Sequence, residues 1–149
     1  SKRPPLDRVN AMLSFLYTIF TREYAAALES VGLDSYMGFY HSLRPGRESL
    51  ACDLVEEGRC IVERFVLTLI NLKIIKPEDF DVQVSGAVFL NDDGRKKVLS
   101  KWQEKKRTDM IHPYLKEKIP MGLLPYVQSM LLAKFVRGEI DEYPCYLAR

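Results

Sequence analysis

Apolar residues recur at three- and four-residue steps along much of the chain, and this period is typical of amphipathic helices. The spacing predicts four helices, over residues 7–31, 49–72, 91–110 and 124–137. Asp7 can cap the first helix and Gly32 can end it, while Gly138 follows the last. We therefore predict an all-α, bundle-like domain.

One stretch departs from the helical period. Phe80, Val82 and Val84 alternate with polar residues, and a second apolar run follows the Ser85-Gly86 turn. Alternation around a turn indicates a short β-hairpin at residues 80–90. An isolated hairpin is marginal in water, so this one must pack on the helices.

Two residues mark special points within the predicted helices. Gly58 interrupts the second helix at a cost of about 1 kcal/mol relative to alanine, which predicts a close backbone approach or a bend there. His112 precedes Pro113, and a residue before proline avoids the helical region. We therefore interpret His112 as a cap or a packed residue rather than a ligand.

Composition narrows the class of protein. The chain has 149 residues, 47% of them hydrophobic and 28% charged, as in a globular domain with a core. No apolar run approaches the ~20 residues that cross a bilayer, and residues 1–5 lack the core of a signal peptide. Because it lacks an initiator Met, we expect a piece of a longer protein. Three cysteines suggest free thiols in a reducing cytoplasm.

A candidate metal site lies between residues 37 and 57. His41 ends an apolar run, and Asp53, Glu56 and Glu57 follow on the next predicted helix. Residues three and four apart share a helix face, so these carboxylates can approach an imidazole and bind a divalent metal. The alternative is a turn histidine beside an acidic helix start, where the helix dipole favours carboxylates anyway.

The third helix is strongly basic. Seven of the 22 Lys and Arg residues fall between positions 95 and 107, namely Arg95, Lys96, Lys97, Lys101, Lys105, Lys106 and Arg107. A solvated helix face and contact with a phosphate backbone both explain this charge. A net charge of only +2 is by itself weak support for a nucleic-acid partner. No phosphate-binding glycine loop supports a nucleotide-binding enzyme.

The order of motifs resembles the C-terminal helical domain of the CRISPR-associated spacer-acquisition integrase family ("Cas-one"). The matching segments are residues 3–7, 9–17, 32–34, 38–41, 47 and 49–56. Residues 94–98, 112–113, 137–138 and 143–144 look like the variants of type I systems, subtype I-C. The resemblance covers nearly the whole chain.

The resemblance implies a metal-dependent DNA endonuclease and integrase of the prokaryotic cytoplasm. Members use Mg²⁺ or Mn²⁺ and join short foreign DNA, the protospacer, to the CRISPR repeat, and branched DNA is a further DNA partner. They act as homodimers with a small partner, "Cas-two". We expect the same reaction and partners for the intact protein, and no membrane.

The resemblance also implies site residues. The family's metal-binding histidine falls on His41 and its last acid on Glu56, where other members have Asp. Asp53 matches an auxiliary acid one turn earlier, and Tyr17 matches a tyrosine near the site. Glu57 matches no ligand, and we interpret it as a solvated neighbour.

The family's first ligand, a Glu on a helix upstream, has no match in residues 1–10. The β-rich dimerisation domain has no match either. We therefore expect residues 1–149 to be a C-terminal helical catalytic domain truncated on its N-terminal side, with weak metal binding and little activity in isolation.

Two other interpretations stay open. One is a non-catalytic DNA-binding helical module, in which the basic helix matters and the metal site does not. The other is a structural or protein-interaction domain. The DNA-binding module differs from an enzyme in having no metal requirement. The structural or interaction domain differs from both of these in having no DNA affinity.

Overall fold

The computed structural model describes residues 6–33 and 49–146. Within them lie five helices, α1 (Leu6–Ser30), α2 (Ser49–Glu57), α3 (Arg59–Asn71), α4 (Asp92–Lys106) and α5 (Leu124–Val136). The strands are β1 (Phe80–Val82), β2 (Val88–Leu90), β3 (Asp109–Ile111) and β4 (Lys118–Pro120). The mainly helical class is confirmed.

Helix α1 is the axis of the core. Its buried stripe repeats at three- and four-residue steps and consists of Met12, Leu16, Phe20, Tyr24, Ala27 and Leu28. The helix contacts α2, α3, α5 and β2. The predicted first helix is confirmed to within one residue at each end, and Gly32 follows it with a φ of +83°.

Helix α4 docks through one aromatic residue. Its N-cap, Asn91, accepts a hydrogen bond from the Gly94 amide at 2.9 Å. Trp102 is fully buried. Its ring centroid lies 5.4 Å from that of Phe20 and 5.2 Å from that of Phe65, both edge-on. This edge-to-face geometry holds α4 against α1 and α3.

The predicted second helix is in fact two helices. The chain breaks at Gly58, between α2 and α3. A Cβ atom there would lie 2.7 Å from Cε2 of Phe20, so the close approach and the bend are both present. Thr68 and Leu72 continue the three- and four-residue spacing of the predicted second helix, but both are exposed. The core face of α3 is centred nearer Val66, and Leu72 lies beyond the last helical residue.

The hairpin at residues 80–90 is confirmed. Strands β1 and β2 pair antiparallel, with Phe80 opposite Leu90 and Val82 opposite Val88. Leu90 is buried in the main core, and β2 contacts α1. The hairpin therefore persists by packing on the first helix.

A second hairpin replaces the predicted end of the third helix. Helix α4 ends at Lys106, and β3 pairs antiparallel with β4, placing Met110 opposite Ile119. The prediction of helix up to Met110 is therefore wrong. The backbone of residues 109–111 hydrogen-bonds to a strand nine residues downstream, a partner that local helical spacing does not reveal.

No helix in the described ranges is long and apolar enough to span a membrane. Cys60 is a free thiol, as we expected. The fourth predicted helix is confirmed as α5, one residue shorter than expected, and the tail that follows it is not helical through residue 146.

The close packing of Gly94 generates a stability prediction. A methyl group at this position would overlap the backbone oxygen of Asp79 and lie 2.9 Å from Cδ2 of Leu90. We expect Gly94→Ala to destabilise the fold by about 1–3 kcal/mol, as overpacking does. A helical Gly→Ala change without such contacts usually stabilises by about 0.5–1 kcal/mol.

Urea unfolding measures the change. The control is Ser100→Ala on the exposed side of the same helix, which we expect to stay within about 0.5 kcal/mol of the parent. A Gly94→Ala variant as stable as the parent would show that this contact is not tight.

Candidate functional site

Helix α2 places its three acidic residues in different surroundings. Asp53 is only 2% exposed, the Glu56 side chain is 53% exposed, and Glu57 is turned toward α5 and the tail. Successive helical residues point about 100° apart, which separates Glu56 from Glu57. The structure therefore separates by exposure three carboxylates that the sequence spacing groups together.

Glu56 is accessible and held by one neighbour. Arg59 donates to its carboxylate from Nη2 at 2.6 Å and from Nε at 3.0 Å. Both side chains are about half exposed, and exposed pairs of this kind contribute below about 1 kcal/mol. A competing cation therefore meets little resistance at Glu56.

Tyr17 lies beside the same pair. The guanidinium carbon of Arg59 is 5.7 Å from the centroid of its ring. Burial raises the pKa of the Tyr17 phenol, and the charges of Glu63 and Glu56 add to this effect, while Arg59 opposes it. The phenol is thus neutral at physiological pH and sits next to the exposed carboxylate of α2.

The metal site is not complete within the described residues. In residues 6–33 and 49–146, no three His, Cys, Asp or Glu side chains are grouped so that they could hold a metal ion. His41 lies outside these ranges, so its predicted place beside Glu56 stays a prediction. Of the two predicted metal ligands, Glu56 is the one that lies within the described residues, and it offers an exposed oxygen ligand of the kind that hard divalent cations prefer.

Glu57 is the functional candidate that the sequence interpretation missed. It is not a solvated neighbour, because its carboxylate accepts hydrogen bonds from two donors of the C-terminal segment. The Tyr143 hydroxyl lies 2.9 Å from Oε1 and 3.0 Å from Oε2, and the Tyr146 amide lies 2.7 Å from Oε1. Glu57 therefore joins α2 to residues 143–146.

Two buried side chains extend this contact. Nε2 of Gln128 donates to the Tyr143 hydroxyl at 2.8 Å and approaches Glu57 Oε1 at 3.3 Å. The amide oxygen of Gln128 is 2.6 Å from Nε2 of His112. His112 is thus a packed residue, as predicted. We call Glu57, His112, Gln128, Tyr143 and the Tyr146 amide the tail network.

Burial shapes the acid–base properties of the tail network. It raises the pKa of Glu57 to about 7, although hydrogen bonds from Tyr146, Tyr143 and Gln128 pull the pKa down. Burial, followed by the charge of Glu57, raises the pKa of Tyr143. The Tyr143 hydroxyl therefore keeps its proton at physiological pH and can donate a hydrogen bond to Glu57.

The basic helix is less free than its sequence indicates. Four of its seven cations pair with acids, as Arg95–Asp92, Lys97–Asp79, Lys101–Glu104 and Lys106–Glu23. Asp79 is buried, and Glu23 also accepts from Trp102 Nε1 at 2.9 Å, so Lys97 and Lys106 have structural partners. Within residues 6–33 and 49–146, Lys96, Lys105 and Arg107 are exposed and form no ion pair.

Neighbouring glutamates on α2 provide a matched stability test. Glu57→Ala leaves the Tyr143, Tyr146 and Gln128 donors without their acceptor, and we expect a loss of about 2 kcal/mol in unfolding free energy. Glu56→Ala removes an exposed ion pair and should cost below about 0.5 kcal/mol. Chemical denaturation measures both, and equal losses would contradict the burial difference.

The comparisons with known proteins agree with this fold. The family profile for CRISPR associated protein Cas1 matches residues 1–104. A CRISPR-associated endonuclease Cas1 from Rhodospirillum rubrum is 52% identical over 97% of this chain and 42% of that protein.

Two solved structures are also similar. A casposase bound to integration product superimposes with a TM-score of 0.85 at 25% identity, over 93% of this chain and 38% of that one. A Cas6-RT-Cas1–Cas2 complex matches with a TM-score of 0.74 at 25% identity, over all of this chain and 16% of that one.

The chain spans less than half the length of each of these proteins. Subtype I-C stays a prediction, because none of the matched names states a subtype. The family profile covers more than half of the chain, and the identity to a named member exceeds half over nearly all of it. The chain belongs to the CRISPR-associated Cas1 family.

Proposed function

We propose that this chain is the catalytic part of a divalent-metal-dependent DNA endonuclease and integrase that acts in CRISPR spacer acquisition. The observation that carries the proposal is the exposed Glu56 carboxylate, at the family's last metal-ligand position in a chain 52% identical to a named Cas1 endonuclease. The casposase match adds support for strand transfer, because that protein is bound to an integration product.

The catalytic domain in this proposal continues upstream of residue 1. Residues 1–149 would be its C-terminal helical part, preceded by the helix with the third metal ligand and by a β-rich dimerisation domain. The share of each relative that is covered, 42% for the R. rubrum protein, supports such an arrangement. The isolated chain would then bind metal weakly.

The donor set fits a hard divalent cation. His41 and Glu56 would hold Mg²⁺ or Mn²⁺ together with the upstream Glu, and Glu56 is already accessible. A metal bound there supplies Lewis-acid stabilisation of charge on a phosphate and activation of a DNA 3′-hydroxyl. Arg59 would leave Glu56 at small cost, because their pair is exposed.

The other predicted site residues have supporting roles in this proposal. Asp53 is buried one turn before Glu56, which favours orientation of the site over direct contact with DNA. Tyr17 places a neutral phenol beside Arg59, and because its hydroxyl is buried it would orient the site rather than contact DNA.

Partners follow from the same proposal. The intact protein would act in the prokaryotic cytoplasm as a homodimer with the small Cas2 protein, on protospacer, CRISPR-repeat and branched DNA. The matched complex that contains both Cas1 and Cas2 supports the protein partner. Lys96, Lys105 and Arg107 would contact phosphates, since they are exposed and form no ion pair in the described ranges.

A non-catalytic DNA-binding module is the second candidate, favoured by the charge of α4. It shares the DNA contacts of the first proposal and differs in needing no metal. The two candidates therefore separate on metal-dependent chemistry and not on DNA affinity.

The catalytic proposal predicts that His41→Ala or Glu56→Ala in the intact protein lowers Mn²⁺-dependent cleavage and strand transfer on branched DNA by more than about 100-fold. Glu56 is exposed, so the Glu56→Ala melting temperature should stay near that of the parent. The matched control is Glu104→Ala, which also removes an exposed glutamate paired three residues away, with Lys101. Near-normal strand transfer by His41→Ala or Glu56→Ala would refute the metal site.

The DNA interface predicts a second outcome. Replacing Lys96, Lys105 and Arg107 together by Gln should weaken DNA binding and lower the salt slope of log K by up to about 3, at about 0.9 per phosphate. Lys73, Lys76 and Lys134, replaced together by Gln, give a charge-matched control outside α4. Fluorescence anisotropy over a salt series measures both triples. Equal weakening by the two triples would show that only net charge matters.

A further inference from the structure

The tail network reaches α2 at the residue next to the proposed metal ligand. Glu57 follows Glu56 directly and ends the helix. Its carboxylate receives the Tyr143 hydroxyl on both oxygens and the Tyr146 amide on Oε1. One peptide unit therefore joins the exposed Glu56, the proposed ligand, to the hydrogen-bonded carboxylate of Glu57.

The orientation of the network is set from its far end. Nδ1 of His112 lies 3.2 Å from the backbone amides of Tyr114 and of Leu115 and accepts a hydrogen bond from each. The imidazole proton then lies on Nε2 and points to the amide oxygen of Gln128. This turns Nε2 of Gln128 toward Tyr143 and Glu57.

The donors and acceptors along this path match one another. The Tyr143 hydroxyl accepts from Gln128 at 2.8 Å and donates to Glu57, so each of its hydrogen-bonding functions is used. Gln128 is fully buried and also approaches the Pro144 carbonyl at 3.2 Å. A buried network with matched partners restricts its members to one geometry.

Helix α2 needs such an anchor. It has nine residues and is followed by the break at Gly58. A helix this short is marginal by itself, so tertiary contacts must hold its rotation. Leu54 and Val55 pack it into the core, but apolar contacts carry little directional information. Hydrogen bonds to Glu57 are directional.

We infer that Glu57 and Tyr143 are positioning residues, which hold α2 at the rotation that aims the Glu56 carboxylate at the metal. The inference rests on the proposed function, since it assumes that Glu56 is a ligand. Productive sites tolerate misplacement of only about 0.5 Å or 10–20°. Glu56 lies about 100° around the helix from Glu57, so turning one turns the other.

Tyr143→Phe is the decisive variant. It removes the hydroxyl that bridges Glu57 and Gln128 without removing a charged side chain. The stability control is Val98→Ala, which shortens a fully buried residue of α4 outside the tail network. The two variants are compared in the intact protein by calorimetric Mn²⁺ titration without DNA.

For Tyr143→Phe we expect Mn²⁺ affinity to fall by about 10-fold or more, the effect of removing residues that orient ligands. Strand transfer should lose kcat with little change in KM for DNA. Glu57→Gln keeps an acceptor for Tyr143, so its Mn²⁺ affinity and kcat should lie between those of Tyr143→Phe and the parent. Val98→Ala should keep the parent's Mn²⁺ affinity, even if its melting temperature falls as far as that of Tyr143→Phe.

Two results would overturn the inference in different ways. Mn²⁺ affinity and kcat that are unchanged in Tyr143→Phe, in a protein whose parent binds Mn²⁺ and transfers strands, would make the tail network purely structural. A parent protein that neither binds Mn²⁺ nor transfers strands would instead overturn the proposed function, and the inference with it.

Discussion

The structure depends on the packing of Phe20 at the centre of α1. Its ring touches the Trp102 ring of α4 edge-on and lies where a side chain at Gly58 would have to be. One aromatic residue thereby sets how closely α4 approaches and where the α2–α3 junction sits. The candidate site inherits its position from this contact, because Glu56 and Glu57 immediately precede Gly58 and Arg59 follows it.

Much of this arrangement could be predicted from local sequence. Helical spacing predicts α1 and α5, and Asn91 marks the start of α4. Gly58 indicates a close approach between neighbouring elements. The hairpin that contains Met110 could not be predicted in this way, since its pairing with Ile119 depends on a segment whose own pattern is weak. Amphipathic spacing reports which residues are buried and not which distant strand they meet.

In the candidate site, too, local sequence predicts some features, while others depend on residues that are distant along the chain. Tyr17 and Glu56 were predicted as neighbours of one site, and the structure places both beside Arg59. Local sequence does not reveal the surroundings of Glu57, because its hydrogen-bond partners Gln128 and Tyr143 lie far along the chain. In α4, the number of Lys and Arg residues overstates the unpaired positive charge, because Lys97 and Lys106 pair with acids that are distant in sequence.

The long sequence separation within the tail network has a consequence for the order of folding. Tyr143 and Tyr146 meet Glu57 across 86 and 89 residues. Closing loops of that length costs chain entropy that nearby helical contacts do not, so such contacts tend to form after local structure. Helix α2 would then reach its final rotation late in folding. Local opening of residues 143–146 would release it again, even while the core around α1 stays intact.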